Sequence, residues 1–291
     1  MLPLESVPNF SEGRDRAVIE AIGAALSEVR LLDVHTDPDH NRSVFTVVGE
    51  DEALIGALVA AVACARDLID LARHTGAHPR IGAADVVPVV PLRPEDMERA
   101  KAAASELAGR IGELSLPVFL YGELAPGRGP AFFRQGGTDG LVERLFSGEL
   151  EPDFGPAELH PTAGGVIVGA RRPLIAFNVD LLGATLEDAR SIASAIRERD
   201  GGFKGVRALG LELPSSGRVQ VSMNVEDWEA SALHEIVHRI ELEAASLGAE
   251  VERAELVGLM PAGAAAVAAG SALRIDGLDG SRLIETRLLE D

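Results

Sequence analysis

Apolar and polar positions alternate along this chain with two different periods, which predict alternating strands and helices. Val18, Ile19, Ile22 and Leu26 have the spacing of one helical face, and we expect Ser11 or Asn9 to cap that helix. Short apolar runs typical of buried strands separate the helices. Strands are predicted at 3–8, 31–34, 43–48, 86–90, 117–121, 166–170, 174–179, 207–213, 218–224 and 250–257, and further helices at 52–72, 94–114, within 131–146, at 185–198 and at 229–247.

Two pairs of neighbouring strands, within 31–48 and 207–224, have no helix between them. Such pairs favour a split βαβ, ferredoxin-like arrangement over a doubly wound parallel sheet. The alternation also occurs twice along the chain. We therefore predict an α+β protein with two ferredoxin-like α/β subdomains, each a mixed or antiparallel sheet covered by helices, with domains at 1–173 and 174–291.

The charge balance narrows the range of partners. Asp and Glu number 46 against 27 Lys and Arg, a formal net charge of −19, and such a surface repels nucleic-acid phosphates.

The single cysteine excludes an internal disulfide. The start of the chain has no signal-peptide pattern, and the apolar run 262–269 is too short to span a bilayer. We expect a cytoplasmic protein that binds neither nucleic acid nor membrane.

The segment 73–91 concentrates candidate chemistry where a helical pattern changes to a buried strand. A helix C-cap would account for Arg73, His74 and Gly76. It does not account for His78 and Arg80, which lie beyond the cap. Because Pro79 stiffens this stretch, we interpret it as a cationic loop on which functional groups are mounted.

Within this loop His78 is the best candidate for proton transfer, because an imidazole both accepts and donates a proton near neutrality. Arg80 is suited to bidentate binding of a carboxylate. Asp85 follows at the start of the strand, where it could orient an imidazole or an amine. Asn41 and Arg42 end a polar loop, 35–42, and form a second anion-binding corner.

A literal H-E-x-x-H motif occurs at His234, Glu235 and His238. On a helix its two imidazoles could hold zinc, with Glu252 or Glu255 as third ligand. An acidic amphipathic helix explains the same residues, so a zinc protease is disfavoured and we expect no metal. The chain has no P-loop and no G-x-S-x-G motif, which leaves general acid–base chemistry by positioned groups.

Several stretches together resemble the formiminotransferase domain family. They are Val7–Gly13, Asn41–Thr46 with Val48–Gly49, Arg73–Gly82 with Asp85, Val86 and Pro88, Tyr121–Glu123, Pro152–Pro156, Gly169–Arg171, Leu174–Asn178 and Leu256–Leu259. The resemblance implies a homodimeric enzyme with two α/β subdomains. It also implies transfer of the formimino group of N-formimino-L-glutamate to N5 of tetrahydrofolate, the co-substrate.

By the same resemblance, His78 is the catalytic histidine, and the folate-binding segment falls on the irregular stretch 155–164. That stretch consists of Gly155, Pro156, Ala157, Glu158, Leu159, His160, Pro161, Thr162, Ala163 and Gly164. Glu158 and His160 depart from the family pattern, as does Ala163 where relatives carry a bulky aromatic residue. Two alternatives remain open: formyl transfer from N-formylglutamate, and a folate-binding protein of the same fold without catalysis.

Overall fold

The computed structural model describes residues 2–213 and 217–288 of the 291-residue chain. Contacts divide the chain into two compact units, Met1–Arg172 and Pro173–Asp291. The predicted domains, 1–173 and 174–291, stay a prediction. The first unit contains β1 Leu4–Ser6, β2 Asn9–Phe10, α1 Arg16–Ala25, β3 Arg30–Asp37, β4 Arg42–Gly49, α2 Asp51–Leu68, β5 Ala84–Pro91, α3 Met97–Gly112, β6 Val118–Gly122, α4 Pro130–Phe133, α5 Gly137–Phe146 and β7 Val166–Ala170.

The sheet of the first unit is mixed. Strands β1 and β2 both pair with β4 and β5, so they form one interrupted strand. From edge to edge the described order is β3, β4, β1/β2, β5, β7, β6, and only the β5–β7 and β7–β6 pairs are parallel. The elements from β1 to β5 make a split βαβ arrangement, which two further parallel strands extend.

Helices pack on both faces of this sheet, because apolar side chains of its strands point to both faces. Phe45 and Val47 of β4 and Val87 and Val89 of β5 pack with α1, α2 and α3 in one core. On the opposite face, apolar residues of β6 and β7 pack with α4 and α5 in a second cluster that includes Phe133. This second cluster determines where the end of α4 lies relative to the start of β5.

The second unit is an antiparallel ferredoxin-like sheet. It contains β8 Ile175–Leu182, α6 Leu186–Ile196, β9 Val206–Leu213, β10 Arg218–Val225, α7 Leu233–Ser246, β11 Glu250–Val257, α8 Ala262–Leu273 and α9 Ile284–Leu288. The order is β11, β8, β10, β9, with antiparallel pairing throughout the described strands. The α+β class with two sheets covered by helices is confirmed. No helix among the described residues has the length and apolarity needed to cross a bilayer.

Several local predictions were wrong. Asp15 caps α1, accepting hydrogen bonds from two first-turn N–H groups, whereas the Ser11 hydroxyl donates to the carbonyl of Gly82 at 2.7 Å. The predicted polar loop 35–42 is strand at 35–37 and at 42 and shrinks to a four-residue turn, because β3 and β4 continue into a tight hairpin. Helix α7 begins at Leu233 rather than at 229, whereas the helix predicted within 131–146 is present as α5, with the short α4 before it.

The predicted helix cap at residues 73–76 was also wrong. Helix α2 ends at Leu68, because Ile69 has extended backbone angles and Asp70 then starts a separate 3₁₀ turn by accepting from Ala72 N–H at 3.0 Å. The residues after this turn are therefore not the end of α2. They form the loop that carries the candidate site.

Candidate functional site

The loop that leads into β5 is held together by the guanidinium of Arg80. One Nη2 hydrogen of Arg80 is donated to the carbonyl of Gly76 at 2.9 Å, and the same nitrogen also bonds the carbonyl of His78. The predicted carboxylate ligand Arg80 thus spans its own loop and gives it a defined shape. Its contact with a substrate carboxylate stays a prediction.

His74 belongs to the site and connects this loop to the β3–β4 hairpin. Its Nδ1 accepts from Nη1 of Arg80, and its Nε2 lies 3.1 Å from the carbonyl of Asn41. Since a guanidinium can only donate and a carbonyl can only accept, His74 carries its proton on Nε2 when neutral. The imidazole is therefore a bridge between two backbone segments, a role that sequence alone did not indicate.

His78 lies against the first residue of β4. Nη1 of Arg42 is 3.0 Å from Nε2 of His78, and because arginine has no acceptor, Nε2 is the acceptor. The neutral His78 ring therefore carries its proton on Nδ1. The ring of His40 stands 5.9 Å from that of His78 at an interplanar angle of 77°. The two candidates His78 and Arg42, 36 residues apart, are thus in direct contact.

The side chain of Asn41 holds the β3–β4 hairpin against neighbouring parts of the chain. It sits in the hairpin turn with φ of 47°, a left-handed conformation that asparagine tolerates better than most residues. Its side-chain oxygen accepts from Gly13 N–H at 2.9 Å, and its side-chain nitrogen donates to the carbonyl of Thr75 at 3.0 Å. The amide therefore ties the hairpin to two neighbouring segments. Substrate contact by Asn41 stays a prediction.

Asp85 organises the end of the loop and binds an arginine that sequence reasoning missed. Its Oδ1 accepts from Ile81 N–H at 2.7 Å, and its Oδ2 forms an ion pair with Arg134. The side chains of Asp85 and Arg134 are 3% and 15% exposed, so the pair is largely dry. Asp85 does not touch an imidazole here but positions a backbone N–H and a guanidinium.

The environment of His78 favours its neutral form. Burial lowers the pKa of His78 well below its usual value, and the positive charges of Arg42 and Arg134 and the ring of His40 lower it further. A backbone hydrogen bond at Pro79 opposes these effects. Desolvation and like charge act in the same direction on an imidazole. At neutral pH the ring is therefore a free base that can accept a proton.

The arginines of the site also repel one another. Burial lowers the pKa of Arg42 to about 10, with a further lowering by Arg134 that Asp85 and Asp37 partly offset. Burial likewise lowers the pKa of Arg80. Both groups are still cations at neutral pH, in a setting where their charges are incompletely balanced. A bound carboxylate would relieve that imbalance.

The predicted folate segment ends in a turn organised by His160. Nδ1 of His160 accepts from Ala163 N–H at 3.0 Å, so its proton is on Nε2 when neutral. The carbonyls of Thr162 and Ala163 accept from Leu71 and Ala83 at 2.8 and 2.9 Å. The end of the segment is therefore bonded to both ends of the loop that bears His78, as expected for neighbouring walls of one site.

The other residues of the segment differ in exposure. Gly155 has φ of 79° and lies so close to the chain that an added Cβ would be 2.1 Å from the carbonyl oxygen of Leu116. Leu159 packs on the second apolar cluster, whereas Ala163 and Gly164 are buried. The exposed positions are Gly155, Pro156, Ala157, Glu158 and Pro161. Their contact with folate stays a prediction.

The H-E-x-x-H motif lies at the start of α7. His238 is 68% exposed, and its Nδ1 is 3.4 Å from Oε2 of Glu241. Among residues 2–213 and 217–288, no group of three possible metal ligands within 4.8 Å of one another includes His234 or His238. A catalytic zinc site needs three such ligands, so this geometry gives no support to a protease.

The comparisons with known proteins match almost the entire chain. Residues 3–171 match the model of the formiminotransferase domain, N-terminal subdomain, and residues 176–276 match that of the formiminotransferase domain. The chain is 39% identical to a glutamate formimidoyltransferase of Streptococcus pyogenes serotype M1, with 98% of each chain covered. It is 40% identical to a protein of the same name from Thermoplasma acidophilum, over 98% of this chain and 97% of that one.

A longer relative matches as well. The formimidoyltransferase-cyclodeaminase of Mus musculus is 42% identical over 89% of this chain and 50% of its own length. The matches to the two shorter relatives cover nearly the entire chain. The chain belongs to the formiminotransferase domain family.

Proposed function

We propose that this chain is a glutamate formimidoyltransferase, which moves the formimino group of N-formimino-L-glutamate to N5 of tetrahydrofolate. Its relatives of that name support the reaction class. The observation that carries the proposal within the molecule is a half-buried His78, in contact with Arg42, whose surroundings favour its neutral form. This combination suits proton transfer next to an anionic substrate.

In the proposed mechanism His78 moves one proton twice. The N5 lone pair attacks the formimino carbon, and Nε2 of His78 takes the proton that N5 then loses. The resulting imidazolium donates that proton to the glutamate nitrogen as the carbon–nitrogen bond breaks. The products are 5-formiminotetrahydrofolate and glutamate, and His78 returns to its neutral form. Its lowered pKa keeps the base available before attack and makes the imidazolium a stronger acid afterwards.

Arg42 has a part in this cycle because it occupies the nitrogen that must take the proton. In the structure the lone pair of His78 Nε2 accepts from Arg42. A substrate carboxylate that draws the Arg42 guanidinium to itself would free that lone pair. A carboxylate can accept two parallel hydrogen bonds from a guanidinium and carries the opposite charge, whereas a neutral imidazole offers one acceptor, so the exchange is favourable. Substrate binding would then prepare the base.

Folate would lie along the segment 155–164. The exposed run 155–158 offers backbone groups to a ligand, and the turn at His160 holds the other end of the segment against the loop of His78. This arrangement would place a pterin near the imidazole without requiring a metal.

The quaternary and cellular assignments belong to the same proposal: a homodimer, located in the cytoplasm, built from domains 1–173 and 174–291, which acts without a metal. Light scattering of the purified chain tests the dimer, and a mass of one protomer would contradict it. Limited proteolysis tests the domain boundary, which should be cleaved near residue 173.

A paired assay tests the reaction and separates it from its rivals. The enzyme is incubated with tetrahydrofolate and either N-formimino-L-glutamate or N-formyl-L-glutamate, and the folate product is followed by absorbance and mass. Transfer from the formimino donor alone supports the proposal. Transfer from the formyl donor alone replaces it with a formyltransferase. Folate binding without transfer from either donor indicates a non-catalytic folate-binding protein.

A further inference from the structure

Arg134 is placed beside the candidate site by packing that has nothing to do with charge. It follows α4, whose Phe133 is fully buried in the apolar cluster under β6 and β7. Gly136 and Gly137, which follow one residue later, both have positive φ and turn the chain into α5. The backbone of Arg134 is therefore held by the hydrophobic core, and its side chain reaches Asp85 at the start of β5.

The hydrogen bonds of this guanidinium are incomplete. One Nη donates to Asp85, whose other oxygen is taken by Ile81 N–H. The Nε hydrogen of Arg134 is buried, and no described residue accepts it. A buried donor without a partner is unfavourable, and buried polar groups in folded proteins are normally bonded. Each such unsatisfied group in a native structure needs an explanation, and a functional role is one of them.

The chemical class of that ligand follows from the surrounding charge. Arg134 lies close enough to Arg42, His78 and Arg80 to lower the pKa of each, while Asp85 is the carboxylate in direct contact with it. The cations in this part of the site exceed the carboxylates that balance them. An acceptor that is also an anion satisfies both the free N–H and the excess positive charge.

We propose that Arg134 is a substrate-binding residue whose Nε–H donates to a carboxylate of the bound substrate, with Asp85 fixing the plane of the guanidinium. This inference rests on the proposed function, in which both substrates carry carboxylates. We assign the contact to a carboxylate of the N-formimino-L-glutamate donor, because Arg134 lies close to His78, the proposed base at which the donor reacts. The glutamate tail of the folate is the other source of the same chemistry.

Asp85 is then a positioning residue. One of its oxygens holds the loop through Ile81 N–H, and the other orients Arg134.

Replacing Arg134 by lysine keeps the positive charge but removes the planar fork and the Nε donor. Replacing it by glutamine removes the charge as well. The two variants separate the contribution of charge from that of directed hydrogen bonding.

The test follows the logic of a double-mutant cycle, in which one change is made in the protein and the other in the substrate. The values of kcat and KM are measured separately. Arg134→Gln and Arg134→Lys are assayed with N-formimino-L-glutamate and with its 1-amide and 5-amide, each of which lacks one carboxylate. Loss of a charge-assisted hydrogen bond should lower kcat/KM by about 10- to 100-fold, mainly through KM. In the wild type one amide should suffer that loss. In Arg134→Gln the same amide should react nearly as well as the full donor, because the partner is already gone.

A matched control removes an arginine of similar burial from α5, the helix that follows Arg134. Arg144 is 11% exposed and bonds the carbonyl of Phe132 at 2.8 Å. Arg144→Gln should leave the loss caused by each amide unchanged. If Arg144→Gln instead behaves like Arg134→Gln, or if the amide loss in Arg134→Gln equals that of the wild type, Arg134 only supports the fold and the inference is overturned.

Two further arms identify the source of the carboxylate and isolate the inference from the proposed reaction. Tetrahydropteroate, which lacks the glutamate of folate, replaces tetrahydrofolate as acceptor. If the effect of Arg134→Gln depends on the glutamate of the acceptor and not on either carboxylate of the donor, the assignment to the donor is overturned and the contact moves to the folate tail. Calorimetric titration of N-formimino-L-glutamate needs no turnover. If the wild type binds the donor but transfers nothing, the proposed function is refuted. If Arg134→Gln then binds the donor more weakly than the wild type does, the inference about Arg134 is still supported.

Discussion

Nη1 of Arg42 donates a hydrogen bond to Nε2 of His78 over 3.0 Å, so the residue that holds the proposed base also adds its charge to the burial that favours the neutral imidazole. An imidazole in water would exchange protons near its ordinary pKa. Here burial and the neighbouring cations favour the free base, while the hydrogen bond keeps its lone pair directed. This relationship between two residues gives the first two predictions.

Removal of the imidazole should affect turnover and leave folate binding largely intact. We expect His78→Ala to lower kcat by about 10²- to 10⁴-fold, the usual contribution of a general acid–base group. Folate affinity, measured by fluorescence titration, should change little. His238→Gln is the matched control, because His238 is 68% exposed on α7 and outside the proposed mechanism. Near-normal turnover by His78→Ala would remove His78 from the mechanism.

The pH dependence should report the lowered pKa of His78. The active form is the neutral base, so kcat/KM should stay high as the pH falls through 6.5 and decline only below that value, near the depressed pKa. In Arg42→Gln one cation is lost, the pKa of His78 rises, and the acidic limb should move to higher pH. Arg128→Gln is a control at a partly exposed arginine paired with Asp153. A limb that does not move in Arg42→Gln would contradict the electrostatic argument.

Much of the fold could be predicted from sequence because its signals are local. Short apolar runs predicted the strands, and neighbouring strands without a helix between them predicted the split βαβ arrangement. Errors arose where two local signals competed. Ser11 has the right chemistry for a cap, but its hydroxyl bonds Gly82 across the sheet, and Asp15 caps α1 instead. Asp70 is a start signal inside an apparently continuous helix, and it ends α2 early.

The site was predictable in part. His78 and Arg80 share one loop, so their proximity in the sequence and their side-chain chemistry pointed to them, and the family resemblance pointed to His78 as well. The contact of His78 with Arg42 depends on the register of the β3–β4 hairpin. Arg134 has no motif, and it reaches Asp85 only because the burial of Phe133 fixes the end of α4. Contacts that depend on packing between distant segments leave no local pattern to recognise.

The close approach of two backbone segments at Gly82 should make this position intolerant of any side chain. A Cβ added there would lie 1.9 Å from the carbonyl oxygen of Gly165 and 2.7 Å from that of Ala84. We expect Gly82→Ala to lower the free energy of unfolding by about 1–3 kcal/mol or more, the usual range for overpacking. Gly56→Ala is the matched control, since nothing lies within 4 Å of its Cβ in the exposed helix position. It should stabilise the protein by about 0.5–1 kcal/mol, and urea denaturation measures both.

Metal removal should leave the reaction unchanged. The proposed proton transfers use an imidazole and need no Lewis acid, and the histidines of α7 lack a third ligand among the described residues. Dialysis against EDTA, followed by assay in metal-free buffer, should preserve kcat and KM within error. Activity that falls on dialysis and returns with added zinc would revive the H-E-x-x-H motif as a metal site.

The turn at His160 should control folate affinity more than chemistry. Its Nδ1 accepts from Ala163 N–H, and this bond shapes the end of the segment that we propose binds folate. His160→Ala removes an acceptor worth about 0.5–1.5 kcal/mol, so KM for tetrahydrofolate should rise roughly 2- to 10-fold with kcat nearly constant. His160→Asn offers an oxygen that can take the same N–H and should recover most of the affinity. If both variants lose kcat and keep KM, the turn acts on the reacting groups and the folate assignment of this segment is wrong.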